Sequence, residues 1–544
     1  MNPSSWVPRP VCPALLLLLA PGVTLCSHPQ QDPPVKTDAT PSVHTPLPRL
    51  RQLDFAPFVR DLEKIAPVRL TALHDLVREA TLTDIQSALK AGQCTSEELT
   101  LLFLSRIQRY DESLRSYLEL NPRCLEEARE ADRRRAAGQG RGPLDGIPLN
   151  LKDNIGTAAP LHTTAGAEIL LNHSPARDAT VTRRLREGGA VILGKASLSE
   201  LAGSLTTEPP GYNAISGIGV NAYRNGLPVS GSSSGSAISI SAGLTVISVG
   251  SETSGSLISP GSCNGVVAMK PSLGVVSGDG VVPLIRFQDS AGPMARNVSD
   301  AAILLGVMDE KNTDYAAGLK PNALEGVATG VLRASLTGAD PSRGTREWLR
   351  RMDEGLSKAK AAVCEVPDTF AAKPRILPLI FLGLQVDTLG FIASTGSPMK
   401  TIAALQAYNA AKPETRIPRG QNLIDLGAQL MPPLLKELGA TEETLPKAYE
   451  ALALKLRQEM ATLLDQAFVS ARVEVLVSLG GSHSELYATA GYPAITVPLG
   501  LGQDGTPNGV TLIGKPGKDA DLLAYAYAFE QATPYRVSPA AVGP

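Results

Sequence analysis

The chain has 544 residues, and its 51 lysines and arginines nearly balance 53 aspartates and glutamates, for a formal net charge of −2. This balance supplies no positive field for nucleic acid, so we expect no nucleic-acid partner. Its six cysteines are too sparse for a disulfide framework, and no clustered Cys/His spacing indicates a zinc site. The length allows one large α/β domain or two to three smaller ones, and a hydrophobic fraction of 43% is ordinary for a globular protein.

Residues 1–27 have the pattern of a secretory signal. Arg9 and the amino terminus supply positive charge, residues 14–20 are apolar, and a Pro-Gly pair interrupts the apolar run. This signal pattern predicts an exported protein, secreted or periplasmic. Because the apolar run is too short to span a bilayer, we expect no stable membrane span. Cys26 lies in a context that partly matches a lipoprotein cleavage site, so a lipid anchor there is an alternative. A disordered tail after a mis-assigned start is another alternative.

Residues 28–68 are predicted to link this segment to the folded domain. The first half of this stretch is rich in Pro, Gln, Asp and Thr and poor in large apolar residues, which is typical of a disordered tether. Capping-box patterns at 83–86 and 95–98 then mark the first helices. We predict one folded domain over residues 69–535.

Lys152 follows a strand-like apolar stretch. Residues 147–151 read IPLNL, and an isolated lysine at such a strand end is usually exposed. The apolar neighbours can instead bury the amine, and burial lowers the pKa of a lysine because it disfavours the charged form. A shift of roughly three units below the reference value of about 10.4 leaves a useful fraction of the amine neutral at physiological pH.

Residues 229–268 contain two loops rich in serine and glycine on either side of a small apolar run. The loops are residues 231–236, GSSSGS, and residues 250–256, GSETSGS. Backbone N–H groups in such loops can bind a ligand, glycine permits close approach, and the serines supply hydroxyls for a nucleophile. The β-branched run at 246–249 predicts a strand after packed core residues.

Three general interpretations of these loops compete. A flexible linker is disfavoured because isoleucine and valine interrupt the stretch at core spacing. A phosphate-binding loop is disfavoured because no Gly-Lys-Ser/Thr follows either loop. Residues 231–235 formally match the G-x-S-x-G of a nucleophile elbow centred on Ser233, although His483 is the only histidine that follows it.

A fourth interpretation rests on three motifs. They are residues 146–155, GIPLNLKDNI, residues 231–237, GSSSGSA, and residues 250–272, GSETSGSLISPGSCNGVVAMKPS. In this order they resemble the signature of the amidase-signature family of serine hydrolases. The GSSSGSA and E-T-x-G-S forms are similar to those of bacterial peptide amidases, which remove C-terminal amides. The resemblance extends over about residues 70–535.

The resemblance implies a Ser-Ser-Lys triad that needs neither metal nor cofactor. By position in the motifs, Ser256 is the nucleophile, Ser232 is the bridging serine that follows a cis peptide bond, and Lys152 is the base. The implied oxyanion hole consists of the backbone N–H groups of Thr253, Ser254, Gly255 and Ser256. Glu252 and Ser254 replace the family's more common Asp and Gly, and we expect the carboxylate of Glu252 to anchor the loop.

The remainder of the chain adds structural motifs. Residues 290–296 resemble the family's D-x-x-G-P-M-A-R, and residues 327–332 and 473–479 predict further strands. Residues 340–465 are predicted to be mostly helical, and in the family this region shapes the substrate pocket. Because strands alternate with helices, the predicted fold class is α/β. We expect a single-domain amidase-signature fold whose mixed, mainly twisted sheet is covered by helices on both faces.

We therefore predict an exported amidase that hydrolyses a carboxylic amide C–N bond through an acyl-enzyme. Its substrate is a small-molecule or peptide amide, and peptide C-terminal, aliphatic, aryl and cyclic amides are all open. Two other functions stay open. One is an amidotransferase A-type subunit that releases ammonia within a complex, and the other is a homologue that binds without catalysis. The sequence predicts no particular oligomeric state.

Overall fold

The computed structural model describes residues 49–206, 209–333, 336, 343–367 and 376–540. The predicted signal segment 1–27, including Cys26, lies outside the described residues. The first part of the predicted linker, up to residue 48, lies outside them as well.

The described end of the predicted linker, residues 49–68, is packed against the domain, so the linker prediction was wrong for this part. Arg49 forms a buried ion pair with Asp111 at 2.8 Å and donates to the carbonyl of Tyr117 at 2.7 Å. Phe58 is buried in the hydrophobic core. Unlike the first half of the predicted linker, this part carries large apolar residues, and Leu53, Phe55 and Leu62 pack against the same core.

Among the described residues, eleven strands form one mixed sheet and two short strands form a separate hairpin. The strands in chain order are β1 (Tyr117–Leu120), β2 (Pro148–Lys152), β3 (Val191–Ala196), β4 (Tyr212–Asn213), β5 (Gly217–Ile218), β6 (Ile247–Glu252), β7 (Val267–Lys270), β8 (Ser290–Ala295), β9 (Ala328–Val331), β10 (Ala362–Glu365), β11 (Val475–Leu479), β12 (Ala494–Leu501) and β13 (Pro507–Ile513). β4 and β5 form the hairpin, and the order in the large sheet is β1-β3-β2-β6-β8-β7-β12-β13-β11-β9-β10. The groups β3-β2-β6 and β11-β9-β10 are parallel, and the other neighbours are antiparallel.

Helices cover both faces of this sheet, which confirms the predicted α/β class with a mixed sheet. The helices are α1 (Val59–Lys64), α2 (Pro67–Val77), α3 (Leu82–Lys90), α4 (Ser96–Leu114), α5 (Cys124–Ala136), α6 (Thr180–Glu187), α7 (Ser234–Ser241), α8 (Ile258–Cys263), α9 (Val298–Met308), α10 (Arg343–Lys358), α11 (Leu377–Gly383), α12 (Leu389–Ser394), α13 (Ile402–Ala410), α14 (Pro413–Arg416), α15 (Asn422–Leu438), α16 (Leu445–Ala471), α17 (Ser484–Ala490) and α18 (Asp519–Ala532). A π-helical turn, Leu384–Thr388, joins α11 to α12.

The capping residues explain where the first helices begin. Thr95 and Glu98 form the predicted capping box at the start of α4. The box at the start of α3 is formed by Thr81 and Asp84, two residues earlier than the pattern that begins at Thr83. There the hydroxyl of Thr81 accepts the N–H of Asp84, and the carboxylate of Asp84 accepts the N–H of Thr81.

The apolar segment Leu377–Ser394 is the one described helix with the length and hydropathy to span a membrane. It comprises α11, the π-helical turn and α12, and 61% of it is buried inside the protein. Leu379, Phe381 and Leu384 belong to its buried surface. Most of its apolar surface is therefore covered by the protein's own core.

Two central parallel strands bring the predicted site residues to one edge of the sheet. β2 and β6 pair so that Asn150 lies opposite Ser248 and Leu151 lies opposite Val249. Because the two strands run in the same direction, Lys152 at the end of β2 lies at the same edge as the loop after β6. The carboxyl edge of parallel strands is the usual place for a ligand site in an α/β fold.

Candidate active site

The amine of Lys152 is completely buried and makes three contacts with serine oxygens. Its Nζ lies 2.7 Å from the Oγ of Ser232, 3.0 Å from the carbonyl oxygen of Ser251 and 2.9 Å from the Oγ of Ser251. The side-chain amide of Asn154 donates to the same Ser251 hydroxyl at 2.9 Å. The structure therefore brings Lys152 and Ser232 together, as the motifs predicted.

Burial lowers the pKa of the Lys152 amine to about 7, because the interior disfavours the charged form. The negative charges of Asp289 and Glu252 oppose this change without cancelling it. Burial also raises the pKa of Asp289 to about 7, although a hydrogen bond from Thr253 stabilises its charged form. A substantial fraction of the Lys152 amine is consequently neutral at physiological pH and has a lone pair available.

Ser232 lies in a loop of unusual backbone geometry just before α7. The peptide bond between Gly231 and Ser232 is cis, as the family resemblance implied, and Ser230 adopts a left-handed conformation with φ of 57°. The backbone N–H of Ser199 donates to the carbonyl of Ser232 at 3.0 Å. A Cβ atom at position 231 would lie 2.2 Å from the Oγ of Ser199, so any larger residue there would require Ser199 to move.

Ser256 lies in the turn that follows β6 and lines the same pocket as Ser232. The backbone N–H of Ser233 donates to the carbonyl of Ser256 at 3.0 Å, which holds the two serine-rich loops side by side. Gly255, with φ of 80°, supplies the left-handed residue of the turn. A Cβ atom there would lie 2.9 Å from the Oγ of Ser484, so the turn packs closely against the start of α17.

A run of backbone N–H groups in this turn is available to a ligand. Within the described residues, no hydrogen bond joins a protein acceptor to the N–H groups of Thr253, Ser254, Gly255 or Ser256. The next two N–H groups, those of Leu257 and Ile258, donate to Oε2 of Glu252 at 2.8 and 3.1 Å. Glu252 thus anchors the loop, as predicted.

Since buried N–H groups are nearly always paired, the unpaired run of N–H groups at residues 253–256, beside a pocket, is typical of an anion-binding turn.

Apolar side chains also line this pocket. Leu284, Ile376 and Ile380, here called the apolar wall, are among its lining residues, and Glu485 lines it as well. Ile376 is the N-cap residue of α11, and Ile380 lies within that helix. The helical region 340–465 therefore contributes directly to the pocket, in agreement with what the resemblance implied.

Ser233, the nucleophile of the elbow interpretation, does not line this pocket. It is fully buried, and its hydroxyl donates to the carbonyl of Ser251 at 3.0 Å and accepts the N–H of the same residue at 3.2 Å. His483, the partner which that interpretation requires, has its Nδ1 2.5 Å from the Oγ of Ser478. Ser233 is therefore a structural link between its loop and β6.

Sequence reasoning missed four residues that surround Lys152 and Thr253. Ser251 contacts Lys152 and Asn154 donates to the Ser251 hydroxyl, while Gln288 and Asp289 contact Thr253. Asn154 stands inside the GIPLNLKDNI motif and Asp289 is the aspartate of the D-x-x-G-P-M-A-R motif, so a signal existed for both. Nothing local distinguishes Ser251 from the other serines of its loop.

The described residues contain no group of three or more His, Cys, Asp or Glu side chains that could hold a metal ion. The second buried lysine near the site, Lys195, contacts the carbonyl of Ile155 at 2.7 Å and the Oγ1 of Thr163 at 2.9 Å. It also lies 3.4 Å from the carboxylate of Asp153, and burial lowers its pKa. These contacts give Lys195 a structural role.

Comparisons with known proteins agree with this architecture. The Amidase family model matches residues 98–523. The chain is 35% identical to a probable amidase of Arabidopsis thaliana over 487 residues, which cover 85% of this chain and 92% of that relative. It is 30% identical over 503 residues to the A-type subunit of glutamyl-tRNA(Gln) amidotransferase from Trichormus variabilis, covering 84% and 99% of the two chains. The solved structure of the native peptide amidase from Stenotrophomonas maltophilia matches with a TM-score of 0.75 and 35% identity, covering 85% of this chain and 98% of that one.

The fold and the serine-lined pocket at its sheet edge, together with these similarities, define an amide-hydrolysing enzyme. Because the family model spans more than half of the chain, the protein belongs to the Amidase family, the amidase-signature hydrolases.

Gly255 provides a test of the turn geometry. Gly255→Ala places a Cβ 2.9 Å from the Oγ of Ser484 in a residue with φ of 80°. Gly274→Ala is the matched control, because its φ of 89° is similar but nothing lies within 4 Å of the added atom. We expect each variant to lose about 1 kcal/mol of unfolding free energy from the backbone conformation. Only Gly255→Ala should also lose at least about tenfold in kcat/KM for an amide, because it displaces the turn. Equal activities of the two variants would refute this explanation.

Proposed function

We propose that the protein hydrolyses carboxylic amides through an acyl-enzyme formed on Ser256, with Ser232 as the bridging serine and Lys152 as the base. One observation carries the proposal. It is the 2.7 Å contact between the Lys152 amine and the Ser232 hydroxyl, made by a lysine whose pKa is lowered to about 7. That Ser256 lines the same pocket as Ser232 supports its role as nucleophile.

In its neutral form the Lys152 amine has two N–H bonds and one lone pair, and the mechanism assigns each of these to one of its three oxygen neighbours. The carbonyl and hydroxyl oxygens of Ser251, at 3.0 and 2.9 Å, accept the two N–H bonds. Asn154 bonds the Ser251 hydroxyl and so fixes its position. The lone pair of the amine is then left for the proton of the Ser232 hydroxyl.

Acylation begins when the Oγ of Ser256 attacks the amide carbonyl carbon. Its proton passes to the Oγ of Ser232, whose own proton passes to the Nζ of Lys152. The oxyanion of the tetrahedral intermediate accepts hydrogen bonds from the N–H groups of residues 253–256, and a single donor of this kind is worth about 3–4 kcal/mol. The proton then returns through Ser232 to the leaving nitrogen, the C–N bond breaks, and the amine or ammonia departs.

Deacylation uses the same groups with water as the nucleophile. Water attacks the ester carbonyl on Ser256 and gives its proton, through Ser232, to Lys152. Collapse of the second tetrahedral intermediate returns that proton to Ser256 and releases the carboxylic acid. The cycle consumes one water molecule per amide and leaves the enzyme unchanged.

We further propose that the substrate is a peptide with a C-terminal amide. The 35% identity to the peptide amidase of Stenotrophomonas maltophilia supports this choice of substrate. The apolar wall formed by Leu284, Ile376 and Ile380 offers a surface for a hydrophobic side chain next to the scissile bond. An amidotransferase component is the second candidate, because the similarity to the A-type subunit of the Trichormus variabilis amidotransferase covers 99% of that chain.

A fluorophosphonate probe tests the nucleophile and the base together. We expect covalent label on Ser256, identified by peptide mapping, and a loss of label and of amide turnover by at least about 100-fold in Lys152→Met. Lys64→Met is the control, because the side chain of Lys64 is 76% exposed and should not affect labelling. Label on Ser233 would overturn the assignment and favour the nucleophile elbow.

The pH dependence of kcat/KM tests the state of the lysine. Because the mechanism needs neutral Lys152, activity should be low in acid, rise through an apparent pKa near 7 and level off above it.

Asp289 titrates in the same range, so Asp289→Asn is the control for this profile. The acidic limb should persist in that variant and move to lower pH, because removal of a facing negative charge lowers the pKa of Lys152. Loss of the limb in Asp289→Asn, or a limb at pH 9–10, would contradict the role of Lys152.

A panel of amides tests the substrate proposal. The purified chain, without partners, should give its highest kcat/KM with C-terminally amidated peptides that end in an apolar residue. Ile380→Ala should reduce this preference, because it removes part of the apolar wall. Turnover confined to free glutamine or asparagine would instead favour the amidotransferase role.

A further inference from the structure

Asp289 joins the oxyanion turn, defined as residues 253–256, to the apolar wall of the pocket. Its Oδ1 accepts the hydroxyl of Thr253 at 2.6 Å. Its Oδ2 accepts the backbone N–H groups of Leu284 at 2.8 Å and Ile285 at 3.0 Å. Thr253 and Leu284 both line the pocket, so one carboxylate connects two of its sides.

The neighbouring residue Gln288 fixes the backbone of the same turn. Its side-chain amide donates to the carbonyl of Thr253 at 2.8 Å, and Gln288 is itself buried. In a trans peptide the C=O and the following N–H point in opposite directions. The bond from Gln288 therefore orients the N–H of Ser254 away from Gln288. Two consecutive residues before β8 thus hold Thr253: Gln288 bonds its carbonyl, and Asp289 bonds its hydroxyl.

The backbone of residues 284–286, the segment that carries Leu284 of the apolar wall, is also bonded to a second carboxylate, that of Asp387. The backbone N–H of Arg286 donates to Oδ2 of Asp387 at 2.9 Å, and the hydroxyl of Tyr449 donates to the same oxygen at 2.6 Å. Three successive backbone N–H groups, at 284, 285 and 286, are therefore bonded to carboxylates. Because these bonds fix the backbone of residues 284–286, the carboxylate of Asp289 is itself held in place and can position the oxyanion turn.

We propose that Asp289 is a positioning residue that sets the direction of the N–H groups of the oxyanion turn through the hydroxyl of Thr253. The inference rests on the proposed function, because the direction of these N–H groups matters only if they stabilise an oxyanion. Asp289 is not among the residues that line the described pocket, so it acts through Thr253 and touches no reacting atom.

Thr253 variants test this inference directly. Thr253→Val keeps the size of the side chain and removes the hydroxyl that Asp289 accepts. Kcat should fall about tenfold while KM stays within about twofold, because the lost interaction is one that matters in the transition state. Thr253→Ser keeps the hydroxyl and should retain kcat within about twofold of the wild-type enzyme.

Thr245→Val is the matched control for the loss of a buried hydroxyl. Thr245 is fully buried and donates to the carbonyl of Ile247 at 3.0 Å, at the start of β6 and therefore at the opposite edge of the sheet. This variant should lose stability comparable to Thr253→Val and keep the wild-type kcat.

A double-mutant cycle connects the effect to Asp289. Asp289→Ala combined with Thr253→Val should lower kcat no further than the worse single variant, because both remove the same contact. Asp289→Asn should retain more kcat than Asp289→Ala, since its carbonyl can accept from the two backbone N–H groups and its amide can donate to Thr253. If Asp289→Ala does not fold, the Thr253 series decides alone.

Two kinds of failure are distinguishable. Wild-type kcat in Thr253→Val, an equal loss in Thr253→Ser, or additive effects in the cycle would each overturn the role of Asp289. Lack of label on Ser256 in the wild-type enzyme would overturn the proposed function itself.

Discussion

A lysine amine enclosed by neutral oxygens is the interaction on which the site depends. Moving its pKa from 10.5 to about 7 corresponds to a cost of about 5 kcal/mol for the charged form. Among the described residues, none of the ion pairs includes Lys152, whereas the equally buried Lys195 lies 3.4 Å from Asp153. Ser232 and Ser251 bond the Lys152 amine without supplying a charge. No contacting carboxylate therefore offsets the burial of the Lys152 amine, whereas Asp153 does so for Lys195.

The turn beside this lysine is held by the sheet rather than by its own sequence. Glu252, the last residue of β6, accepts the N–H groups that follow the turn, and Gln288 and Asp289 hold Thr253 from the segment before β8. Gly255 allows the turn to approach α17 closely. A turn held at both ends by residues of β6 and of the segment before β8 keeps its backbone geometry without help from the substrate.

The sequence was sufficient for the features that local patterns encode. The resemblance of three motifs to the amidase signature implied that Lys152 and both serine-rich loops belong to one site, and alternating strand and helix patterns predicted the mixed sheet. The contacts of Ser251 and Asp289 depend on how β6 lies beside β2 and β8, and no local pattern records that register. The attachment of residues 49–68 was missed for the same reason, since the buried ion pair of Arg49 is made with a residue 62 positions away.

The titration of the Lys152 side chain itself tests the central claim most directly. With lysine labelled with carbon-13 at Cε, the Lys152 resonance can be assigned by its absence in Lys152→Met and followed with pH by NMR. The account predicts a midpoint near 7 for this one resonance. A midpoint near 10.5, the ordinary value for an exposed lysine, would mean that the amine stays charged and cannot take a proton from Ser232.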